Sequence, residues 1–238
     1  MSLYRARGVV LRTIKLGEAD RIISLMTEAH GKVRAVAKGV RKTKSRFGAR
    51  LEPTSHVALL LYEGRELDIV TQADGLDHYR AIREDLDRLA KATSLLEAVD
   101  QVAQERESNP RLYQMLLGAL RSLDERNSPL LVPAFFWKLL AVEGVQPLLD
   151  QCAHCGATDG LVAFDLSVGG VLCRSCRSGS PISADALDLL RRILGGGLSA
   201  CLAEPVSPAT REVEHLATAA LEAHLERRLR SITALDRG

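Results

Sequence analysis

Four of the five cysteines are spaced to hold a metal. The segment 152-CAHCGATDGLVAFDLSVGGVLCRSC-176 reads as C-x2-C, seventeen residues, then C-x2-C. Each pair sets two sulfurs on one tight knuckle, and a hairpin between the pairs brings the knuckles together. Tetrahedral Zn2+ takes four soft ligands of this kind, so Cys152, Cys155, Cys173 and Cys176 are the expected ligands of one zinc ion. In a reducing compartment such pairs are metal ligands rather than disulfides. Two pairs, neither opening a thioredoxin-type helix, also argue against redox work. Four thiolates leave no open position for water, so the expected role is structural. His154, inside the first knuckle, reads as a bystander to a filled tetrahedron. Cys201 has no partner and reads as a small apolar residue.

The second cluster is one of charge. The stretch 31-GKVRAVAKGVRKTKSRFGARLEP-53 holds Lys32, Arg34, Lys38, Arg41, Lys42, Lys44, Arg46 and Arg50, with no acid between Glu28 and Glu52. Net charge over the 238 residues is only +2, yet residues 1–79 carry 14 Lys+Arg against 9 Asp+Glu and the rest 18 against 21. That asymmetry marks a local anion site rather than a general polycation. The run follows directly on a strand-like segment, and Gly39, Gly48 and short polar residues let a loop track a phosphate backbone. All eight basic residues are therefore expected nucleic-acid contacts. Sequence-tolerant single-strand binders stack bases on several rings. Before Tyr79 only Tyr4, Phe47 and Tyr62 are aromatic, and only Phe47 is embedded in the basic run. Backbone capture, salt-dependent and tolerant of both duplex and single strands, is the expected mode.

Other chemistry is missing from the sequence. There is no G-x-x-x-x-G-K-[ST], no G-x-G-x-x-G after a strand, no H-E-x-x-H and no G-x-S-x-G. A zinc deaminase needs H-x-E ahead of P-C-x-x-C, and the one H-x-E, His224 to Glu226, follows the cysteines. Neither enzymatic activity nor nucleotide binding is expected. Phe135, Phe136 and Trp137, consecutive on a helix, read as core, with a partly exposed docking surface as the alternative.

These residues need elements to position them. Up to about residue 75 the apolar period is two, which predicts strands over 8–14, 21–27, 32–38, 56–62 and 66–72. Five short strands suit a small closed barrel, an OB-fold with an SH3-like barrel as the alternative. Beyond Asp77 the pattern is helical. It predicts one helix over 78–105, and Asn109-Pro110, Ser128-Pro129 and Ser207-Pro208 as a cap and first position for three more. The last of these runs to about Arg230, and a further helix covers about 183–194. The fold class is therefore α+β: an OB-fold domain over 1–78, then an α-helical domain over 79–238 with the zinc module inserted at about 150–180. No apolar run reaches the roughly 18 residues of a membrane span, and the N-terminus lacks a signal-peptide pattern, so a soluble cytoplasmic protein is expected.

Taken together, 17-GEADRIISLMTEAHGKVRAVAKGVRKTKSRFGARLEP-53, 62-YEGRELDIVTQAD-74 and the four-cysteine module resemble the RecO family of bacterial recombination mediators, over essentially the whole chain. One departure is Thr54, where the family pattern has an aromatic after the proline. The resemblance implies a non-enzymatic DNA repair and recombination role near the nucleoid. Its parts are binding single- and double-stranded DNA, annealing complementary strands, and acting with RecR to load RecA onto strands coated by single-strand-binding protein. It places the DNA contacts on the basic residues from Lys32 to Arg50 and the metal on the four cysteines. The rival reading is an RNA- or transcription-associated zinc-ribbon binding module.

Overall fold

The computed structural model describes residues 2–43, 45 and 47–231. The chain divides into two compact units, Met1–Arg126 with the chain from Leu229 onward, and Asn127–Arg228. No helix among the described residues is long and apolar enough to cross a membrane.

The first unit opens with five strands, β1 (Leu3–Leu16), β2 (Asp20–Thr27), β3 (Gly31–Ala37), β4 (His56–Tyr62) and β5 (Asp68–Asp77). They close a barrel in the order β1-β2-β3-β5-β4. Neighbours are antiparallel except β3 and β5, which run parallel through Ala35–Asp68 and Val36–Ile69. This closure is the OB arrangement, and it removes the SH3-like alternative. Strand alternation builds the interior: Val33, Ala35 and Ala37 pack with Ile23, Leu25 and Val70, while Arg34 and Val36 face out. In β1 a bulge between Val10 and Arg12 changes that parity, so Val10 pairs with Leu25 but Thr13 pairs with Ile23. Arg12, Ile14 and Leu16 thereby join the outer face.

Two strands differ from expectation. β1 starts five residues earlier than 8–14, at Leu3, because Tyr4 and Ala6 alternate inward with Arg5 and Arg7 outward. β5 is shifted from 66–72 toward Asp77, since Asp68 Oδ1 takes the Gly64 N–H at 3.0 Å and holds the turn open through Leu67.

Three helices complete this unit, α1 (Arg80–Glu84), α2 (Leu86–Val102) and α3 (Pro110–Glu125). The single helix expected over 78–105 is broken. Asp85 is extended, and its carboxylate accepts the Arg88 N–H at 3.0 Å, capping α2 where α1 ends. Asn109 caps α3 as the sequence predicts, accepting from Leu112 N at 3.0 Å. β1 and β2 pack against α2, and β2 also against α3. The outward Val9 and Met26 are accordingly wholly buried. The loop after α2 lies so close to β3 that a Cβ on Gly31 (φ +62°) would stand 1.8 Å from the Glu107 carbonyl oxygen. Buried Asp68 ties the same loop to the barrel, accepting from Arg106 Nη2 at 2.6 Å and from the Tyr4 hydroxyl. The chain returns at its end to α2, where Glu97 accepts the N–H groups of Arg230 and Ser231 at 2.9 and 2.8 Å.

The second unit holds α4 (Leu131–Val142), β6 (Leu161–Asp165), β7 (Gly170–Cys173), β8 (Ser180–Pro181), α5 (Ala184–Leu194), α6 (Leu198–Cys201) and α7 (Pro208–Leu225). α4, α5 and α7 pack on one another, and Phe135, Phe136 and Trp137 of α4 are all buried. Trp137 meets Phe164 of β6 edge-on at 5.6 Å. Ser128-Pro129 does not start α4: Ser128 Oγ accepts from Leu130 N at 3.2 Å in a turn, and the helix begins at Leu131. Ser207 and Thr210 form a reciprocal capping box at α7. That helix stops at Leu225, short of the expected Arg230, because Glu226 adopts a left-handed conformation.

Candidate metal centre and nucleic-acid interface

The four sulfurs of Cys152, Cys155, Cys173 and Cys176 lie within 4.8 Å of one another. Local geometry makes them converge. Gly156 (φ +77°) turns the first knuckle so that its N–H reaches the Cys152 carbonyl at 2.9 Å. The second knuckle closes through Cys176 N to Cys173 O at 3.1 Å. Between them, β6 and β7 form the expected hairpin, and Ala153 N donates to Val171 O at 2.8 Å to dock the first knuckle on it.

The donor set fits a metal. A tetrahedron of metal–thiolate bonds of about 2.3 Å has edges of about 3.8 Å, and Cys155 Sγ and Cys173 Sγ stand 3.7 Å apart. The protons tell the same story. Burial would raise the Cys152 thiol, but backbone N–H groups of Cys173, Cys155 and His154 outweigh it and hold it at about 6. Cys176, sharing its proton with Cys155 and desolvated, is pushed up to about 12. Thiolates this close repel one another, and a cation among the four sulfurs would favour their ionisation. His154 lies beside this group, its Nδ1 3.5 Å from Cys176 Sγ. A ring nitrogen at that distance orients a ligating sulfur without occupying the metal. Cys201 is buried, as a small apolar residue should be.

The basic residues of the first unit fall into two groups. Lys32 is only 15% exposed; its Nζ donates to the Asp100 carbonyl at 2.7 Å and lies 3.8 Å from the Asp100 carboxylate. Arg12 Nε holds the same carboxylate at 2.8 Å. Arg34 pairs with Glu105 at 3.5 Å. These contacts fasten β3 to the helical layer. The other group lies past the end of β3. Gly39 N donates to Asp20 Oδ1 at 2.7 Å, and Arg41 Nη1 donates to the carbonyls of Gly17 and Glu18 at 3.3 and 2.9 Å. The loop is thus pinned to the β1–β2 turn at its start. At its other end Phe47 and Leu51 are buried in the barrel core, an anchor on the order of 1.5–3 kcal/mol for a fully buried Phe. Arg50 Nη1 donates to the Phe47 carbonyl at 3.4 Å. Lys38 and Lys42 are exposed and have no ion-pair partner among the described residues. Lys44 and Arg46 lie outside the described residues.

The aromatics sort the same way. Phe47, 1% exposed, is a core plug and has no face to offer. Tyr4 is committed to Asp68, and burial together with that carboxylate drives its phenol well above the usual range. Tyr62 is exposed. Thr54, at the position of departure, is buried with φ +73°.

A closed OB barrel with a pinned basic loop, plus a second unit bearing a four-thiol metal knuckle, is a build used for handling nucleic acids. Comparison with known proteins makes this specific. Residues 1–79 match the family model "Recombination protein O N terminal" and residues 83–232 match "Recombination protein O C terminal". The chain is 46% identical over 243 aligned positions, covering 100% of both chains, to the DNA repair protein RecO of Frankia casuarinae. The chain belongs to the RecO family of DNA repair proteins.

Proposed function

We propose that this chain is a recombination mediator that captures single- and double-stranded DNA by its phosphates, anneals complementary strands, and with RecR loads RecA onto strands coated by single-strand-binding protein. The observation that carries the DNA part is the β3–β4 loop, pinned at both ends and presenting Lys38 and Lys42 without internal partners. Arg41, Lys44, Arg46 and Arg50 extend that charge along the loop. Lys32 and Arg34, from the same run, serve the loop by fixing the strand that leads into it. Neutralising backbones without gripping bases lowers the repulsion between two strands and leaves pairing edges free. The metal is zinc in a structural role: four thiolates saturate it, which also supports a non-enzymatic protein. A cytoplasmic, nucleoid-associated location and a DNA-binding domain ending near residue 78 follow from the same reading.

For the acidic, apolar-ended tail of single-strand-binding protein, the second unit offers an apolar pocket of about 400 Å³ between α4, α7 and the β6–β7 turn. Trp137, Leu140, Val145, Leu166 and Val168 line it, and His224 is the one lining group that can gain positive charge.

The experiment is DNA binding across a salt series. The logarithm of affinity should fall steeply and linearly with the logarithm of salt, for duplex and single strand alike, with a slope equivalent to several phosphates. A shallow slope, or RNA preferred over DNA without annealing, would favour the zinc-ribbon RNA-binding reading instead.

A further inference from the structure

The β6–β7 hairpin stands between the four sulfurs and the apolar pocket of the second unit, and it touches both. On one face Ala163 and Leu172, paired across the hairpin, pack on Cys152 and Cys173. Phe164, the next residue along β6, turns to the other face by strand alternation and meets the Trp137 ring at 5.6 Å. The turn that follows supplies Leu166, Ser167, Val168 and Gly169. With Phe164, the hairpin thus gives five of the pocket's twelve lining residues, which makes it a whole wall.

Both edges of the hairpin are held by the chain around the knuckles. Along β7, Leu148 N donates to the Gly169 carbonyl at 3.0 Å and Val171 N to the Leu148 carbonyl at 2.9 Å, in the segment that enters the first knuckle. Along β6, Ala163 and Phe164 pair with Pro181 and Ser180, in the segment that leaves the second. The approach is close on both sides. A Cβ on Gly170 would stand 2.7 Å from the Leu148 carbonyl oxygen, and one on Gly179 would stand 2.9 Å from Asp165 Cα. Asp165 adds the last link. Its carboxylate accepts from Ser167 N at 2.8 Å in the pocket turn and from the Ser178 hydroxyl just past Cys176.

The knuckle side has little core of its own. Its buried cluster is Cys152, Ala163, Leu172 and Cys173, so half of it consists of candidate ligands. A core this small does not hold a fold by itself and relies on a staple. We propose that metal occupancy gates the pocket: a cation held by the four sulfurs fixes both flanks of the hairpin and so sets the wall on which the acidic, apolar-ended tail docks. The gate rests on the reading of the pocket given above. Coupling of this kind is reciprocal, so a filled pocket tightens the metal by the same factor that the metal tightens the pocket.

The test uses the full chain, zinc-loaded and stripped by a chelator. Trp137 is the chain's one tryptophan, so its fluorescence reports on the wall directly. Below the melting temperature, stripping should shift its emission to the red and raise its quenching by acrylamide. Far-ultraviolet circular dichroism should meanwhile keep the signal of α4, α5 and α7. A fluorescent acidic peptide ending in a phenylalanine carboxylate should bind the stripped chain at least about tenfold more weakly, and saturating peptide should raise zinc affinity by the same factor in chelator competition. Asp165→Ala should keep its zinc and lose most of that mutual gain. Unchanged Trp137 fluorescence on stripping, or peptide affinity indifferent to zinc, would overturn the gate. So would loss of the helical signal together with the pocket, which would make the metal a support of the whole unit. If the zinc-loaded chain did not bind the peptide, the tail assignment would fall instead, and Trp137 alone would judge the gate.

Discussion

Lys32 and Lys42 are ten positions apart in one basic run and have different surroundings. The Lys32 ammonium is desolvated against Asp100, where Arg12 also reaches. Removing it leaves a mostly buried carboxylate with one partner instead of two. Lys32→Ala should cost about 1–2 kcal/mol of stability in urea unfolding, less than the full price of an orphaned buried charge because Arg12 remains. Its effect on DNA affinity at constant folded fraction should be under about twofold. Lys42→Ala should do the reverse, leaving the unfolding midpoint in place while DNA affinity falls and the salt slope drops by about one unit. Equal effects of the two substitutions on DNA would contradict the division. The difference could not be seen along the chain, because the acids that claim Lys32 and Arg34 lie far ahead at Asp100 and Glu105. The cysteines were legible for the opposite reason: their ligand spacing is local, and Gly156 turns the knuckle within four residues. His154 touches Cys176 only once the two knuckles meet.

At the scale of elements, alternation made the barrel readable, since β2, β3 and β4 have one apolar side each. The first half of β1 was hidden because its inward residues are a small Ala6 and a polar-tipped Tyr4. The break between α1 and α2 was hidden inside a helical pattern that Asp85 interrupts by capping. A second buried device joins barrel to helix. His56 of β4 sits between Asp77 of β5, at 2.6 Å from Nδ1, and the Tyr113 hydroxyl of α3, at 2.8 Å from Nε2. The His56 hydrogen bond, with help from Arg121, holds the Asp77 carboxyl below its ordinary value. A depressed carboxyl adds stability that is complete above its unfolded value near 3.9 and is lost as pH falls through the lower folded value. The parent should therefore lose urea stability on going from pH 5 to pH 3 more steeply than Asp77→Asn, which keeps the shape and cannot ionise. Parallel acid limbs for the two chains would show that Asp77 carries no such linkage.

The whole molecule separates its tasks between two compact units, each with its own core. The basic loop belongs to the first, and the four-cysteine knuckle to the second. Metal should accordingly support the fold of the second unit, through the folding free energy that a four-thiolate site contributes, and not contact DNA. Fold class followed from periodicity and ligand spacing alone. The partners of Lys32 and Arg34 did not, because Asp100 and Glu105 reach them only once the helical layer packs on the barrel. The account stands most directly on one measurement, the rate at which the chain anneals complementary strands coated with single-strand-binding protein, compared between the parent, metal-stripped parent and a Lys38→Glu, Lys42→Glu variant. The account predicts that the charge-reversed variant, folded by melting and circular dichroism, anneals at least about tenfold more slowly, while the metal-stripped chain loses thermal stability and keeps its affinity for naked DNA. Annealing by the charge-reversed variant at the parental rate would contradict it.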